Sequence, residues 1–153
     1  MEQIAYAAVV VVREAAAGPE WLLARRAEGK YMGGTWQLVS GRIERGEAAW
    51  QAALRELTEE TGLAAQELYR LSRVETFYRH DADAICHAIP FCVVVAADAG
   101  VTLNVENTHF EWMPFNAAAE RLMWPGDLRW LEETRVEIWG DGKCKPYLRI
   151  PLT

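Results

Sequence analysis

Two regimes of apolar and polar spacing divide this 153-residue chain. Ile4 to Arg13 is an almost unbroken apolar run rich in valine, the pattern of a strand covered on both faces. Gly18-Pro19 marks a turn and Trp21 to Arg25 reads as a second strand, so a hairpin is expected. After a glycine-rich loop from Gly29 to Gly34, Trp36 to Ser40 predicts a short strand that delivers the chain to Gly41. From about Glu47 to Thr61 the period becomes helical. Trp50, Ala53, Leu54 and Leu57 form an apolar stripe there, opposite Glu56, Glu59 and Glu60, and Gly62 supplies the left-handed stop. Strands are expected again over Leu68–Tyr78, Ile85–Ala97 and Phe110–Met113. A helix should open at Phe115 or Asn116 and run to Met123, and Pro125-Gly126 should break it before a last helix, Leu128–Ile138. The tail from Gly140 to Thr153 favours no single element. Strands mixed with helices predict an α/β sandwich, and the length predicts one domain over 1–153.

Charge narrows the partners. A net charge of -6 argues against broad binding of a nucleic-acid backbone, so an anionic substrate would need a metal or a local arginine cluster. Lysine occurs only at Lys30, Lys143 and Lys145, leaving arginine, the better bidentate phosphate ligand, as the main cation. Cys86, Cys92 and Cys144 are odd in number and form no CxxC pair, which supports neither a disulfide framework nor a zinc site; a reducing cytoplasm is the default compartment. The first apolar run follows Glu2 and ends at Arg13-Glu14, so it reads as a buried strand and not as a membrane segment. Seven tryptophans suggest an aromatic pocket, with core packing and a homodimer interface as competing uses.

The chemistry concentrates in the helix. Glu56, Glu59 and Glu60 lie at i, i+3 and i+4, so one helical stripe gathers three like charges that repel unless a cation neutralises them. A hard cation such as Mg²⁺ takes oxygen ligands and leaves part of its shell to water and substrate phosphates. A further ligand is expected from a backbone carbonyl at Gly41, where the missing side chain permits close approach. The competing reading is a solvated face held by salt bridges, with Arg55 and Glu59 at i, i+4 as its best pair.

The spacing decides between them. Gly41, Glu47, Arg55-Glu56-Leu57, Glu59-Glu60 and Gly62-Leu63 satisfy every defined position of GX5EX7REUXEEXGU, and on these residues, 41–63, the chain resembles the Nudix (MutT-type) hydrolases. The resemblance implies an α/β/α sandwich with a mixed sheet and hydrolysis of a nucleoside diphosphate linked to another moiety, with Mg²⁺ or Mn²⁺. Carried over by position, it implies metal ligation by Glu56, Glu59, Glu60 and the Gly41 carbonyl, with Glu56 also a candidate base. Glu47 and Arg55 would support the loop and helix, and Glu44 would join their hydrogen-bond network. A further carboxylate is expected from the loop before a late strand, Glu106, with Glu111 in reserve.

The flanks bear on the substrate. LLARRAEGKYMGGTWQLVSG and THFEWMPFNAAAERLMWPGDLRWLEE are similar to the bacterial members of that family that act on nucleoside triphosphates, including dATP and dihydroneopterin triphosphate. Hydrolysis of such a triphosphate to the monophosphate and pyrophosphate is therefore the expected reaction. Arg25 and Arg26 alternate across a strand, so one of them should face the phosphates. Trp36 and Tyr31 are candidates to stack on a base or pterin, and core packing is the competing use of both. Tyr78 keeps a diadenosine polyphosphate substrate as the alternative, while Glu75 to Arg79 lacks the proline associated with ADP-ribose hydrolases. A nucleotide-sensing module without turnover is the rival from another class, disfavoured because every box carboxylate is kept. The expected partner is thus a nucleotide-type small molecule, with neither nucleic acid nor membrane involved.

Overall fold

The computed structural model describes residues 1–152. Its frame is a nine-stranded sheet built around β1 (Glu2–Ala15), the valine-rich run. β1 pairs parallel with β7 (Ala84–Val94) and antiparallel with both β2 (Gly18–Arg26) and β4 (Val39–Arg42). β2 in turn pairs with β3 (Trp36–Gln37) and β8 (Asn107–Met113), while β7 pairs with β5 (Glu67–Arg70) and β6 (Glu75–Arg79), and β5 with β9 (Arg149–Ile150). One parallel pair among antiparallel ones makes the sheet mixed.

The continuous apolar character of β1 follows from its central place. Successive side chains point to opposite faces of a strand, so Ala8, Val10 and Val12 enter one core while Ala7, Val9 and Val11 enter another. The first core is closed by α2 (Phe115–Arg121), α3 (Pro125–Glu133) and the π-helical turn Thr134–Trp139, through Ala118, Trp130, Leu131 and Ile138. The second is closed by α1 (Ala49–Thr61) through Ala52, Ala53 and Leu57. Helices on both faces of one sheet give the expected α/β/α sandwich. Burying each Val or Leu of these cores stabilises the fold by about 1.5–3 kcal/mol. A buried hydrogen bond ties sheet to helix layer, with Trp21 Nε1 donating to Thr134 Oγ1 at 2.9 Å.

Several boundaries differ from the sequence expectation, each for a local reason. The β1–β2 turn falls at residues 16–17, and Gly18-Pro19 already belongs to β2, where Gly18 adopts φ 126 and Pro19 pairs with Glu14. Trp36 to Ser40 is not one strand: β3 pairs with β2 and β4 with β1, and the chain changes partner at Leu38. Leu68 to Tyr78 is likewise two strands, β5 and β6, which pair with different ends of β7. The break between the two helices falls at residues 122–124, and Pro125 itself opens α3, because proline at the first helical position lacks only an N–H that has no intrahelical acceptor. The tail forms the short α4 (Lys145–Leu148) and the edge strand β9.

Candidate active site at the α1–β4 junction

α1 begins without a side-chain cap at Ala48, whose backbone N–H donates instead to the Gln51 side chain at 2.8 Å. It ends at Gly62, φ 71, whose N–H returns to Thr58 O at 2.9 Å. Its buried face contains Ala52, Ala53, Glu56, Leu57, Glu60 and Thr61, whereas Trp50 is 40% exposed and Leu54 only partly covered. Glu56 and Glu60 therefore lie on the face turned to the sheet, not opposite it as the spacing of Trp50 and Leu54 suggests. β4 leaves a gap there because Gly41 has no side chain. A Cβ at Gly41 would overlap the Glu56 carboxylate.

Glu60 is 5% exposed. Its carboxylate accepts from the Ser40 backbone N–H at 3.2 Å and from Asn107 Nδ2 at 3.4 Å. Burial first, then the charges of Glu56 and Glu106, raise its pKa to about 9. Glu56 is also raised by burial, against the opposing pull of Arg55 and of a hydrogen bond from Glu60. These two carboxyl groups converge and share the cost of a buried charge.

Arg55 distributes its guanidinium over everything around them. Nε and Nη2 donate to Glu47 at 2.7 and 3.0 Å, Nη1 to Glu56 at 2.7 Å and Glu59 at 3.2 Å, and Nη2 also to the Arg42 carbonyl at 2.9 Å. Glu44 stands 3.8 Å from Nη1, and its backbone N–H donates to Glu47 at 3.0 Å. Glu47, Arg55 and Glu44 are thus brought together, with Glu47 held below the usual carboxylate range by Arg55. Glu59 does not join the buried pair. Its side chain is 55% exposed and turned outward on Arg55, the i, i+4 pair of the salt-bridge reading. Among the described residues no three His, Cys, Asp or Glu side chains converge as a ready metal cage. Glu56, Glu60 and the backbone at Gly41 are the neighbouring oxygen donors that could hold a cation.

The other expected residues fall into two groups. Glu106 comes to the cluster: it raises Glu60 electrostatically, and its Oε2 lies 3.9 Å from Arg26 Nη1. Its carbonyl also accepts from Ala27 N–H at 2.9 Å, which fixes the loop after β2 against it. A register shift against β8 separates Arg25 from Arg26. Arg25 Nε donates to the Gly34 carbonyl at 3.2 Å and Nη2 to Glu28 at 3.5 Å, whereas Arg26 donates Nε to the Tyr31 carbonyl at 3.0 Å and is the one of the two paired with Glu106. Glu111, opposite Leu23 of the first core, binds Arg121 at 2.7 Å on the far face.

The aromatic candidates are not gathered around Glu56. Trp36 packs against the first core with the Arg121 guanidinium 4.7 Å over its ring. Tyr31 is 69% exposed and stands 5.5 Å from the Arg79 guanidinium. Tyr78 lies on β6, its hydroxyl donating to Asp83 at 3.0 Å. Asn107 and the Ser40 N–H are the contacts that sequence reasoning missed. A polar pair, Glu106-Asn107, at the mouth of a strand was the available signal.

The NUDIX domain family model matches residues 3–134. An octanoyltransferase of Myxococcus xanthus is 43% identical over 120 residues, which is 71% of this chain and 31% of that protein. A putative 8-oxo-dGTP diphosphatase 3 of Mycobacterium tuberculosis is 34% identical over 112 residues, 71% of this chain and 50% of that one. The chain thus spans at most half the length of these two curated relatives. The structure of a Caenorhabditis elegans Ap4A hydrolase binary complex superposes with a TM-score of 0.75 at 22% identity, covering 90% of this chain and 98% of the other, a likeness of fold.

Proposed function

The chain belongs to the NUDIX family, and from that premise we propose that it hydrolyses a phosphoanhydride bond of a nucleoside or pterin triphosphate, giving the monophosphate and pyrophosphate. The observation that carries the reading is the buried pair Glu56 and Glu60 beside the cradle at Gly41. A buried carboxyl at about pH 9 in its titration is a group short of positive charge, and a hard divalent cation can replace the proton it holds. The donor set fits Mg²⁺ or Mn²⁺: Glu56, Glu60 and the Gly41 carbonyl would hold it, with Glu59 and Glu106 at the rim. When bound, such an ion lowers the pKa of water and neutralises phosphate charge.

The chain's own groups supply the rest. Arg55 fixes the Glu56 carboxylate from behind through Oε1, and Glu56 is the group we assign to accept a proton from the attacking water. Water adds to the phosphorus next to the bridging oxygen, and that P–O bond breaks as pyrophosphate leaves. Arg26 is the cation placed to bind a substrate phosphate oxygen, with Glu106 orienting it. Tyr31, 69% exposed, is assigned the stacking contact with the base or pterin, since Trp36 packs against the first core.

The relative named for 8-oxo-dGTP supports a nucleoside triphosphate substrate. Incubation with dATP, 8-oxo-dGTP, other triphosphates, dihydroneopterin triphosphate, diadenosine polyphosphates and ADP-ribose, with products resolved, tests the reading. Monophosphate and pyrophosphate should appear only with Mg²⁺ or Mn²⁺, and Glu56→Gln should lower kcat by about 10²-fold or more. Orthophosphate with a nucleoside diphosphate, or unchanged turnover in excess chelator, contradicts it.

A further inference from the structure

We propose that two copies of this chain associate edge to edge through β6, as a twofold antiparallel ladder centred on Phe77. β6 is paired only with β7 among the described residues, so its outer row of backbone N–H and C=O groups has no strand partner. Free edges are usually blunted by lysine, proline, a bulge or extreme shortness. β6 has no lysine, proline or bulge, and its two charges, Glu75 and Arg79, stand only at its ends; its register runs unbroken from Glu75 opposite Ala88 to Arg79 opposite Ala84. It also presents a large aromatic residue on each face, Phe77 at 42% and Tyr78 at 55% exposure.

The sequence Glu75-Thr76-Phe77-Tyr78-Arg79 is self-complementary. With Phe77 on the twofold axis, Glu75 lies opposite Arg79 of the second copy at both ends, and Thr76 lies opposite Tyr78. Opposite charges and aromatic or β-branched pairs at facing positions stabilise a ladder, and a twofold interface uses each pair twice. Both terminal side chains are already ordered within the monomer. Glu75 accepts from Arg129 at 3.0 Å, and Arg79 pairs with Asp81 and donates to the Tyr6 hydroxyl at 3.3 Å. Each end of the interface thereby becomes a row of alternating charge, Arg129, Glu75, Arg79 and Asp81, the last two from the second copy.

The sheet has a second long edge, β8, where self-pairing about Phe110 sets His109 opposite Glu111. That edge is less suited: its register against β2 is interrupted opposite Arg25 and Arg26, and it sets no acidic residue opposite an arginine or lysine. A foreign extended peptide could also add to β6, but only a second copy meets Glu75 and Arg79 with the complementary ends at once. The inference goes beyond the hydrolytic reading and uses none of its residues at the carboxylate cluster.

Sedimentation velocity over a concentration series tests it. A five-residue ladder is a small interface, so a reversible monomer–dimer equilibrium is expected. Phe77→Lys, which sets two like charges together on the axis, should weaken it at least about tenfold. Cross-linking then fixes the register in a Cys86→Ala, Cys144→Ser background, because Cys86 faces position 77 across the β6–β7 pair and would capture a cysteine there within one chain, while the remaining Cys92 is buried. Facing residues stand about 4.5–5.5 Å apart, within disulfide reach. Phe77→Cys should therefore form a covalent dimer on mild oxidation, and Thr76→Cys, which faces Tyr78, should not. A monomer up to about 1 mM, an unchanged equilibrium in folded Phe77→Lys, or cross-linking through Phe110→Cys in place of Phe77→Cys overturns the proposal. Dissociation of the wild-type dimer by added β-forming peptides alone would mark the edge as a peptide site and also overturn it. If circular dichroism finds Phe77→Lys unfolded, the contrast between Phe77→Cys and Thr76→Cys decides.

Discussion

Replacing Glu60 by glutamine should stabilise the metal-free protein, although it removes a residue of the family's box. The Glu60 carboxyl titrates near pH 9 in the folded chain because burial and the charges of Glu56 and Glu106 disfavour its ionised form, against an ordinary glutamate value near 4.5 when unfolded. Between these two values the folded state binds a proton that the unfolded state does not. The contribution of Glu60 to stability is therefore fullest below about pH 4.5 and is lost as pH rises towards 9. At pH 7 the folded chain must take up that proton against a gap of about 2.5 units, a cost of about 3 kcal/mol at 1.36 kcal/mol per unit. Glu56 shares the deficit of charge, so about 2–3 kcal/mol is the expected gain in Glu60→Gln. The amide keeps the geometry: its oxygen can accept from Ser40 and Asn107, and its NH₂ can donate to Glu56 as the protonated acid does. For a domain of this size the gain raises Tm by about 4–10 °C. Thermal unfolding in chelator, from pH 4.5 to 8, measures it. The gain should shrink to nothing towards pH 4.5, and added Mg²⁺ should stabilise the wild type far more than the variant. A lower Tm for Glu60→Gln at pH 7 without metal, or a gain independent of pH, refutes the reasoning.

Other substitutions separate the site from its scaffold. Gly41→Ala places a methyl group where the Glu56 carboxylate lies; we expect kcat to fall at least about tenfold, with the unfolding free energy in urea lowered by about 1–3 kcal/mol, the cost of overpacking. Arg26→Gln should raise KM about tenfold, the worth of a charge-assisted phosphate contact, while Arg25→Gln, which loses only the Gly34 and Glu28 contacts, should stay within about threefold; steady-state kinetics on the best substrate compares them. Trp21→Phe leaves the buried Thr134 hydroxyl without its indole donor, and urea titration should find about 2–4 kcal/mol lost from the hydrogen bond and the cavity together.

The sequence carried the sheet's centre because a strand buried on both faces must be apolar at nearly every position, as Ala7 to Val12 are. It carried the box because carboxylates at helical spacing between two glycines are improbable as decoration. What escaped it depended on partners distant in the chain. Whether Leu68–Tyr78 continues as one strand is decided by β7, which pairs with its two halves at different ends. The face of α1 that turns inward is decided by the gap at Gly41, which admits two carboxyl groups in place of the aromatic Trp50. The separation of Arg25 from Arg26 follows from a register shift against β8, and no local pattern marks it. Tyr78 and Trp36 have aromatic chemistry suited to a base, but pairing places one on the outer strand and the other against the first core.

Position on the helix also explains why three glutamates of one motif are unequal. Arg55 follows the sheet-facing side of α1 closely enough to reach Glu56, and its remaining N–H groups are taken by Glu47, Glu59 and the Arg42 carbonyl. None is left for Glu60, whose donors are the neutral Ser40 N–H and Asn107 amide. Neutral donors offset less of the desolvation cost than a guanidinium does, so the proton settles on Glu60 while Glu56 keeps a permanent counter-charge. A lysine at position 55 could not divide itself this way, having three donors on a single nitrogen in place of a planar fork. On the proposed hydrolytic reading, the asymmetry gives the two carboxyl groups different work before any substrate arrives: Glu60 would be the group whose proton a cation displaces, and Glu56 the one that accepts a proton from water.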